Sequence, residues 1–291
     1  MAARKTEQLE NRYREKRYQQ FDNGQLNIKR LVGHRVANRI LIRLITLQRI
    51  LRKEKLIVVG DRRIKTKRPV IFLPMHIGGS DVEVIFESVR THTWLMLGDP
   101  REMYCNVSGA MLHINGVIWF DTAYKKDRHI AKLRSIELLK RGENIIIFPE
   151  GAYNISPNRL VMYPYTGAAE IAITTHSDII PIGLVRQGKT YYINIGENIS
   201  TEIYNTEQKY ELTELLRNHL ATLCWEILEK LPIVYRKTLK NDYYENDFLK
   251  KMFMQEGYSY TVDDVKKTLY RPKGIDGIEF KEKIVIDDLL M

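Results

Sequence analysis

The sequence predicts an α/β protein: a mixed, mostly parallel sheet flanked by helices, with an N-terminal helical arm and a small C-terminal extension. Three observations point there. Short apolar runs bounded by Pro, Gly or Asn alternate with amphipathic stretches between residues 55 and 231, the order that lays helices on a largely parallel sheet. With 291 residues, 44% of them hydrophobic, the chain can bury one large core. The formal net charge of +10 arises wholly in the first 55 residues, where 15 Lys and Arg face 5 Asp and Glu, while the remaining 31 basic and 31 acidic residues cancel. These features divide the chain into an arm at 1–54, an α/β domain at 55–231 and an extension at 232–291.

The elements follow in order. Residues 1–25, rich in Tyr, Gln and Arg, read as a polar helix. Over 26–53, Ile28, Val32, Val36, Ile40, Leu44, Leu47 and Leu51 recur every three or four positions, with Arg35, Arg39 and Arg43 alongside. This is a basic amphipathic helix whose apolar face suits either an anionic lipid surface or the body of the protein. Nucleic acid is not expected, because no reader motif or aromatic cluster accompanies the charge. Strands are predicted at 56–59 and 69–74, a helix at 82–90, a strand at 94–97, a helical stretch at 102–112 and a strand at 117–120. Ile130, Leu133, Ile136, Leu138 and Leu139 mark a helix over 127–141 that stops at Gly142. A strand at 144–148, a Pro/Asn-rich loop, a helix at 166–175, strands at 179–185 and 190–195 and a long helix at 206–230 complete the domain. A loop at 270–274 and a short strand at 280–286 are expected near the end.

Cys105 and Cys224 have no CxxC or Cys/His spacing, which predicts two buried thiols in a reducing compartment and no metal site. No run approaches the about 18 apolar residues of a membrane span, and the first residues are charged. A cytoplasmic protein, peripheral on the inner face of a membrane, is expected.

Two motifs carry the chemistry. His76-Ile77-Gly78-Gly79-Ser80-Asp81 follows the apolar run Pro69–Pro74, and Phe148-Pro149-Glu150-Gly151 follows Asn144-Ile145-Ile146-Ile147. Residues five apart on a helix lie roughly 140° around its axis, so His76 and Asp81 cannot share a helical face. Gly78 and Gly79 supply a turn, Ser80 a cap, and Asp81 can fold back to fix the imidazole tautomer, leaving the other ring nitrogen free to accept a proton.

From Pro69 to Leu184 this pattern resembles the glycerolipid acyltransferase family, the enzymes that acylate lysophosphatidic acid and its relatives, marked by H-x4-D followed by F-P-E-G. Gly116-Val117-Ile118-Trp119-Phe120 and Ile180-Pro181-Ile182-Gly183-Leu184 stand where the family's weaker blocks fall. The resemblance implies transfer of an acyl chain from acyl-CoA or acyl carrier protein, with no cofactor, to the hydroxyl of a lysophospholipid such as 1-acylglycerol-3-phosphate. It implies His76 as general base and Asp81 as its orienting acid, with Gly78 and Gly79 offering N–H groups to an oxyanion or phosphate. Glu150 and Gly151 would shape the acceptor site, with Tyr153 and Asn154 at neighbouring polar positions.

The chain also departs from the pattern. Asp121 and Thr122 follow Phe120 where the family usually has an arginine, Ala152-Tyr153-Asn154 replaces its threonine and arginine, and Tyr163–Gly167 holds nothing basic. Lys125, Lys126 and Arg128 are close enough in sequence to substitute as a phosphate clamp. A sugar or other non-phosphate alcohol as acceptor, and an inactive acyl-binding module at a membrane surface, stay open as alternatives. Tyr243, Tyr244, Phe248, Met252 and Phe253 fit a helical stripe capping the core, or a lid on the acceptor side.

Overall fold

A computed structural model describes residues 2–26, 31–253 and 259–270. The predicted loop at 271–274, the strand at 280–286 and Ile28 lie outside the described residues. Strands β1 (Lys55–Asp61), β2 (Val70–Pro74), β3 (Thr93–Gly98), β4 (Val117–Phe120), β5 (Asn144–Ile146), β6 (Asp178–Gln187) and β7 (Thr190–Ile195) form a seven-stranded sheet in the order β1-β7-β6-β2-β5-β3-β4. The β6–β7 pair is antiparallel and the other pairs are parallel, as the alternating pattern predicts. Parallel neighbours need crossovers. These are α3 (Asp81–Val89) between β2 and β3, α4 (Val107–Asn115) between β3 and β4, α5 (Lys125–Lys140) between β4 and β5, and α6 (Gly167–Thr175) between β5 and β6. All five β2 residues are buried, so its side chains are covered on both faces of the sheet.

Two helices precede the sheet: α1 (Ala2–Asp22) and α2 (Leu31–Leu51). Ion pairs tie α1 down, Arg14 to Asp121 at 2.6 Å and Arg17 to Asp127 at 2.6 Å. Helix α2 packs on α3 and α4 through Asn38, Leu41 and Ile45, and Asn38 Nδ2 donates to Asn115 Oδ1 at 2.8 Å. These are not the residues of the periodic stripe. Val36, Ile40, Leu44, Leu47 and Leu51 are instead exposed, Ile40 at 55% and Leu51 at 73%. The helix therefore has two apolar faces roughly 130° apart, one seated and one bare.

Other differences have local causes. The helical stretch predicted at 102–112 is a 3₁₀ turn, Arg101–Tyr104, and then α4, because Asn106 Oδ1 accepts the Gly109 N–H and starts a new helix. Gly109 permits this close approach, since a Cβ there would lie 1.6 Å from the Met103 carbonyl oxygen. Ser80 stands at the N-cap of α3 without a capping side-chain bond; its Oγ instead accepts Arg52 Nη1 at 3.3 Å. Cys224 is buried, which pushes its thiol up to about 12, but Cys105 is exposed, contrary to the expectation of two buried thiols.

The closing helix is α7 (Lys209–Leu228), which packs on β6 and β7. Beyond it, a π-helical turn at Tyr244–Leu249 runs into α8 (Lys250–Phe253), and α9 (Val262–Thr268) starts at a Thr261–Asp264 capping box. Met252, Val265 and Leu269 form a second apolar cluster with Ala152, Tyr153, Ile155 and Met162. The predicted stripe thus caps the loop 152–162 that follows Phe148-Pro149-Glu150-Gly151 rather than the sheet core; Phe248 and Phe253 join it, and Tyr243 stays exposed.

Candidate active site

The chain leaves β2 into a tight turn. Gly78 and Gly79 take φ of 73° and 65°, left-handed conformations that glycine adopts without penalty. The turn brings the Asp81 carboxylate back beneath it. Asp81 Oδ2 lies 2.8 Å from His76 Nδ1 and accepts the N–H groups of Ile77 at 2.8 Å and Gly78 at 2.7 Å, while Oδ1 accepts Val82 N–H at 2.7 Å. Asp81 is 0% exposed, and these bonds satisfy its buried charge. As Oδ2 serves as acceptor to two amides, the shared proton sits on His76 Nδ1 and Nε2 presents its lone pair. The ring is held by Phe148, stacked at 4.1 Å, and by Tyr153, edge-on at 4.4 Å.

The amides of this turn are already engaged. Gly78 N–H goes to Asp81, Ser80 N–H to the Tyr191 hydroxyl at 2.9 Å, and Gly79 N–H to the Met252 carbonyl at 3.2 Å. A Cβ on Gly78 would stand 2.4 Å from that carbonyl oxygen, so α8 is seated directly on the turn. The expected presentation of the Gly78 and Gly79 N–H groups to a ligand is absent from this arrangement, because Asp81 and Met252 take them.

Glu150 faces inward. It is 1% exposed, its Oε1 accepts Met162 N–H at 2.7 Å and its Oε2 accepts His76 N–H at 3.3 Å. Burial pushes its carboxyl up to about 8, against the smaller opposing pull of those amides. Its place is as a strut between the two motifs. Asn154 is likewise turned into its own loop, donating to the carbonyls of Arg159 and Leu160 and accepting Ser156 N–H, while its backbone N–H bonds the His76 carbonyl at 2.8 Å.

A cavity of about 2040 Å³ opens on His76. Of the residues singled out in the sequence, His76, Gly79, Gly151 and Tyr153 line it, whereas Asp81, Gly78, Glu150 and Asn154 stand behind its wall. One part is apolar, walled by Leu41 and Ile45 of α2, Val82 and Phe86 of α3, Leu95 of β3 and Leu112 of α4. Another part is polar and lies where β3 and β4 end, with Asp99, Thr122, Arg128, Tyr165, Tyr260 and Asp264. Asp99 accepts the Thr122 N–H at 2.9 Å and hydroxyl at 2.6 Å, and burial raises its carboxyl above the usual range. Asp99, Tyr165 and Tyr260 lie outside the two sequence motifs. Asp99 was findable, because sites in open α/β sheets gather at the carboxyl ends of strands. Among the substitute cations, Arg128 donates to the Thr122 carbonyl inside the cavity, Lys126 pairs with Asp22, and Lys125 does not reach the cavity. No group of three His, Cys, Asp or Glu is placed to hold a metal among the described residues.

A histidine held by a buried carboxylate thus faces a partly apolar cavity at the carboxyl edge of the sheet. Residues 55–185, somewhat under half of the chain, match the family model described as Acyltransferase, in line with the resemblance carried by the two motifs. The 1-acyl-sn-glycerol-3-phosphate acyltransferase of Borreliella burgdorferi is 24% identical over 179 residues, covering 57% of this chain and 70% of that protein. The crystal structure of the 1-acyl-sn-glycerophosphate (LPA) acyltransferase, PlsC, from Thermotoga maritima shares the fold, with a TM-score of 0.55 at 17% identity over 67% of this chain and 81% of that one. The family and the fold class expected from the sequence are thereby borne out.

Proposed function

We propose that the protein transfers a fatty acyl group from a thioester donor to the hydroxyl of a lysophospholipid of the 1-acylglycerol-3-phosphate kind. The observation that carries this is the His76–Asp81 pair, with Nε2 presented to a cavity whose apolar part is long-chain compatible in character. The acceptor oxygen attacks the thioester carbonyl as His76 Nε2 takes its proton. The C–S bond then breaks, and the thiolate recovers that proton from His76, so no acyl-enzyme forms. Asp81 keeps the ring in place and offsets the imidazolium charge while it lasts. The relatives named for this substrate support the acceptor class.

The arm, 1–54, is the membrane contact in this reading. The bare stripe of α2, with Arg39 and Arg43 exposed beside it, suits an interface where apolar side chains enter the acyl boundary and guanidinium groups meet anionic headgroups. No helix among the described residues is long and apolar enough to cross a membrane. The C-terminal extension, through Tyr260, Asp264 and Thr268, closes the polar part of the cavity. A second acceptor class, a sugar or other non-phosphate alcohol, is favoured by one observation: Asp99, Asp121 and Thr122 stand at the end of β3 and β4 where a phosphate clamp is expected.

The test is thiol release from palmitoyl-CoA by wild type and His76→Ala, with lysophosphatidic acid, other lysophospholipids and sugars as acceptors. Release stimulated by lysophosphatidic acid and lost in the variant is expected. Stimulation by a sugar alone would move the acceptor class, and an equally active His76→Ala would remove the mechanism.

A further inference from the structure

The arginines near the site divide into two sets. Arg14, Arg17, Arg49 and Arg101 each hold a carboxylate: Asp121, Asp127, Glu87 and Asp264. Arg52, Arg128 and Arg186 form no ion pair among the described residues although all three line the cavity; Arg128 donates to the Thr122 carbonyl beyond β4, and Arg52 and Arg186 stand beside the His76 turn. They come from distant segments. Arg52 follows α2, and Arg186 is near the end of β6 beside Lys189 at the start of the hairpin into β7.

The three cations converge on the catalytic turn. Arg52 Nη1 lies 3.3 Å from Ser80 Oγ, and Lys189 Nζ donates to the Arg52 carbonyl at 3.1 Å. Arg186 rests over the Tyr191 ring, 5.1 Å from its centroid, and its Nη1 lies 2.5 Å from where a Cβ on Gly79 would stand. The absence of a side chain at Gly79 therefore makes room for a guanidinium two residues before Asp81. Lys53 lines the same part of the cavity, as do two carboxylates, Glu54 and Glu83. Burial pushes Glu83 up to about 7, so its negative charge is incomplete near neutrality. Cations outnumber anions there by four to two.

Unpaired guanidinium groups at a cavity wall, backed by an ammonium, match the fork geometry and charge of a phosphate. We propose that Arg52, Arg186 and Lys189 form a binding site for a substrate phosphate group beside the His76 turn. The inference rests on the acyltransferase reading of the same cavity, and it puts phosphate recognition just past α2 and on the β6–β7 hairpin rather than at the ends of β3 and β4. Two substrates bring this chemistry: the donor, through CoA or a phosphopantetheine arm, and the acceptor, through its glycerol phosphate.

The experiment uses the full chain with Arg52→Gln, Arg186→Gln and Lys189→Gln, and Lys126→Gln as a control, since Lys126 pairs with Asp22 outside the cavity. KM is measured for palmitoyl-CoA with lysophosphatidic acid saturating, then the reverse. Melting curves by circular dichroism confirm that each variant is folded. Loss of one charge-assisted contact is expected to raise one KM by about tenfold or more, leaving the other near wild type. A rise for palmitoyl-CoA assigns the donor phosphate, and a rise for lysophosphatidic acid assigns the acceptor. Both KM values unchanged, or a shift equalled by Lys126→Gln, would overturn the site.

Calorimetric titration with CoA, and separately with sn-glycerol 3-phosphate, needs no turnover. If wild type transfers nothing, the acyl-transfer reading fails on its own, while weaker binding of either ligand by Arg52→Gln and Arg186→Gln still upholds the phosphate site. Equal binding by wild type and variants, or none by wild type, rejects it.

Discussion

Replacing Asp81 with Asn perturbs the site at its most constrained atom. The carboxylate accepts four N–H groups, three of them at Oδ2. An Asn carbonyl placed at the Oδ2 position keeps those three bonds but makes them neutral, and turns an NH2 toward the Val82 N–H. Bonds to a charged group contribute about 1.5–3 kcal/mol and neutral ones about 0.5–1.5 kcal/mol, which would sum to on the order of 3 kcal/mol or more for the set. The amide also avoids desolvating a buried charge, so the net cost falls to about 1–3 kcal/mol. That corresponds to a drop in Tm of about 2–4 °C per kcal/mol. The effect on turnover is larger, because the imidazolium loses its counter-charge: about 10²–10⁴-fold in kcat/KM. Asp81→Ala leaves the same donors buried without an acceptor, at about 1–3 kcal/mol each, and is expected to melt below Asp81→Asn. Thiol release with a chromogenic thiol reagent reads the rate, and circular dichroism reads Tm. An Asn variant with near wild-type kcat/KM would show that the carboxylate only ties the turn together. An Ala variant as stable as the Asn variant would show that the turn's N–H groups do not depend on it.

Three further outcomes follow from the same structure. Glu150 titrates at about 8 in the fold against an ordinary 4.5, so the folded state keeps a proton that the unfolded chain has released; stability should fall as pH rises between these values and level off above about 8. Denaturant titrations should show a shallower fall for Glu150→Gln over that range, and slopes equal to wild type would refute the assignment. Ile40→Glu with Leu47→Glu should cut sedimentation with anionic vesicles by about tenfold or more without lowering Tm, since both side chains are exposed; undiminished sedimentation would refute α2 as the membrane contact. Gly78→Ala meets the Met252 carbonyl at 2.4 Å from a left-handed backbone, adding about 1–2 kcal/mol of strain and about 1.5–3 kcal/mol of lost Met252 packing. A wild-type Tm for it would mean that α8 does not sit on the turn.

Local patterns made the scaffold legible. The strand runs and the helix between 127 and 141 needed only alternation, periodicity and a closing Gly142. The fold-back of Asp81 onto His76 was also readable, because two glycines at fixed spacing leave the chain few other paths. Orientation was harder. Periodicity finds the apolar stripe of α2 but does not tell which side meets the domain, and the contacts at Asn38, Leu41 and Ile45 are set by α3 and α4. Long-range partners were illegible for the same reason. Nothing near residue 79 reports that the Met252 carbonyl will take its N–H, nor that Glu150 will turn inward to His76 and Met162. The family's acceptor arginines are missing from their blocks, and the unpaired Arg52 and Arg186 stand far from any motif in sequence.

The contact between Met252 and the glycine turn sets the order in which the site can come into being. His76, Asp81 and the Phe148-Pro149-Glu150-Gly151 loop all leave the ribosome well before α8 is made. Until then Gly79 N–H lacks the Met252 carbonyl, and Tyr153 lacks Phe253 and Tyr260, which pack against its ring. β1 also waits for β7 before it has a neighbour in the sheet. Synthesis therefore completes the packing around the glycine turn late, and His76 is made long before the α8 and Tyr260 contacts that surround it.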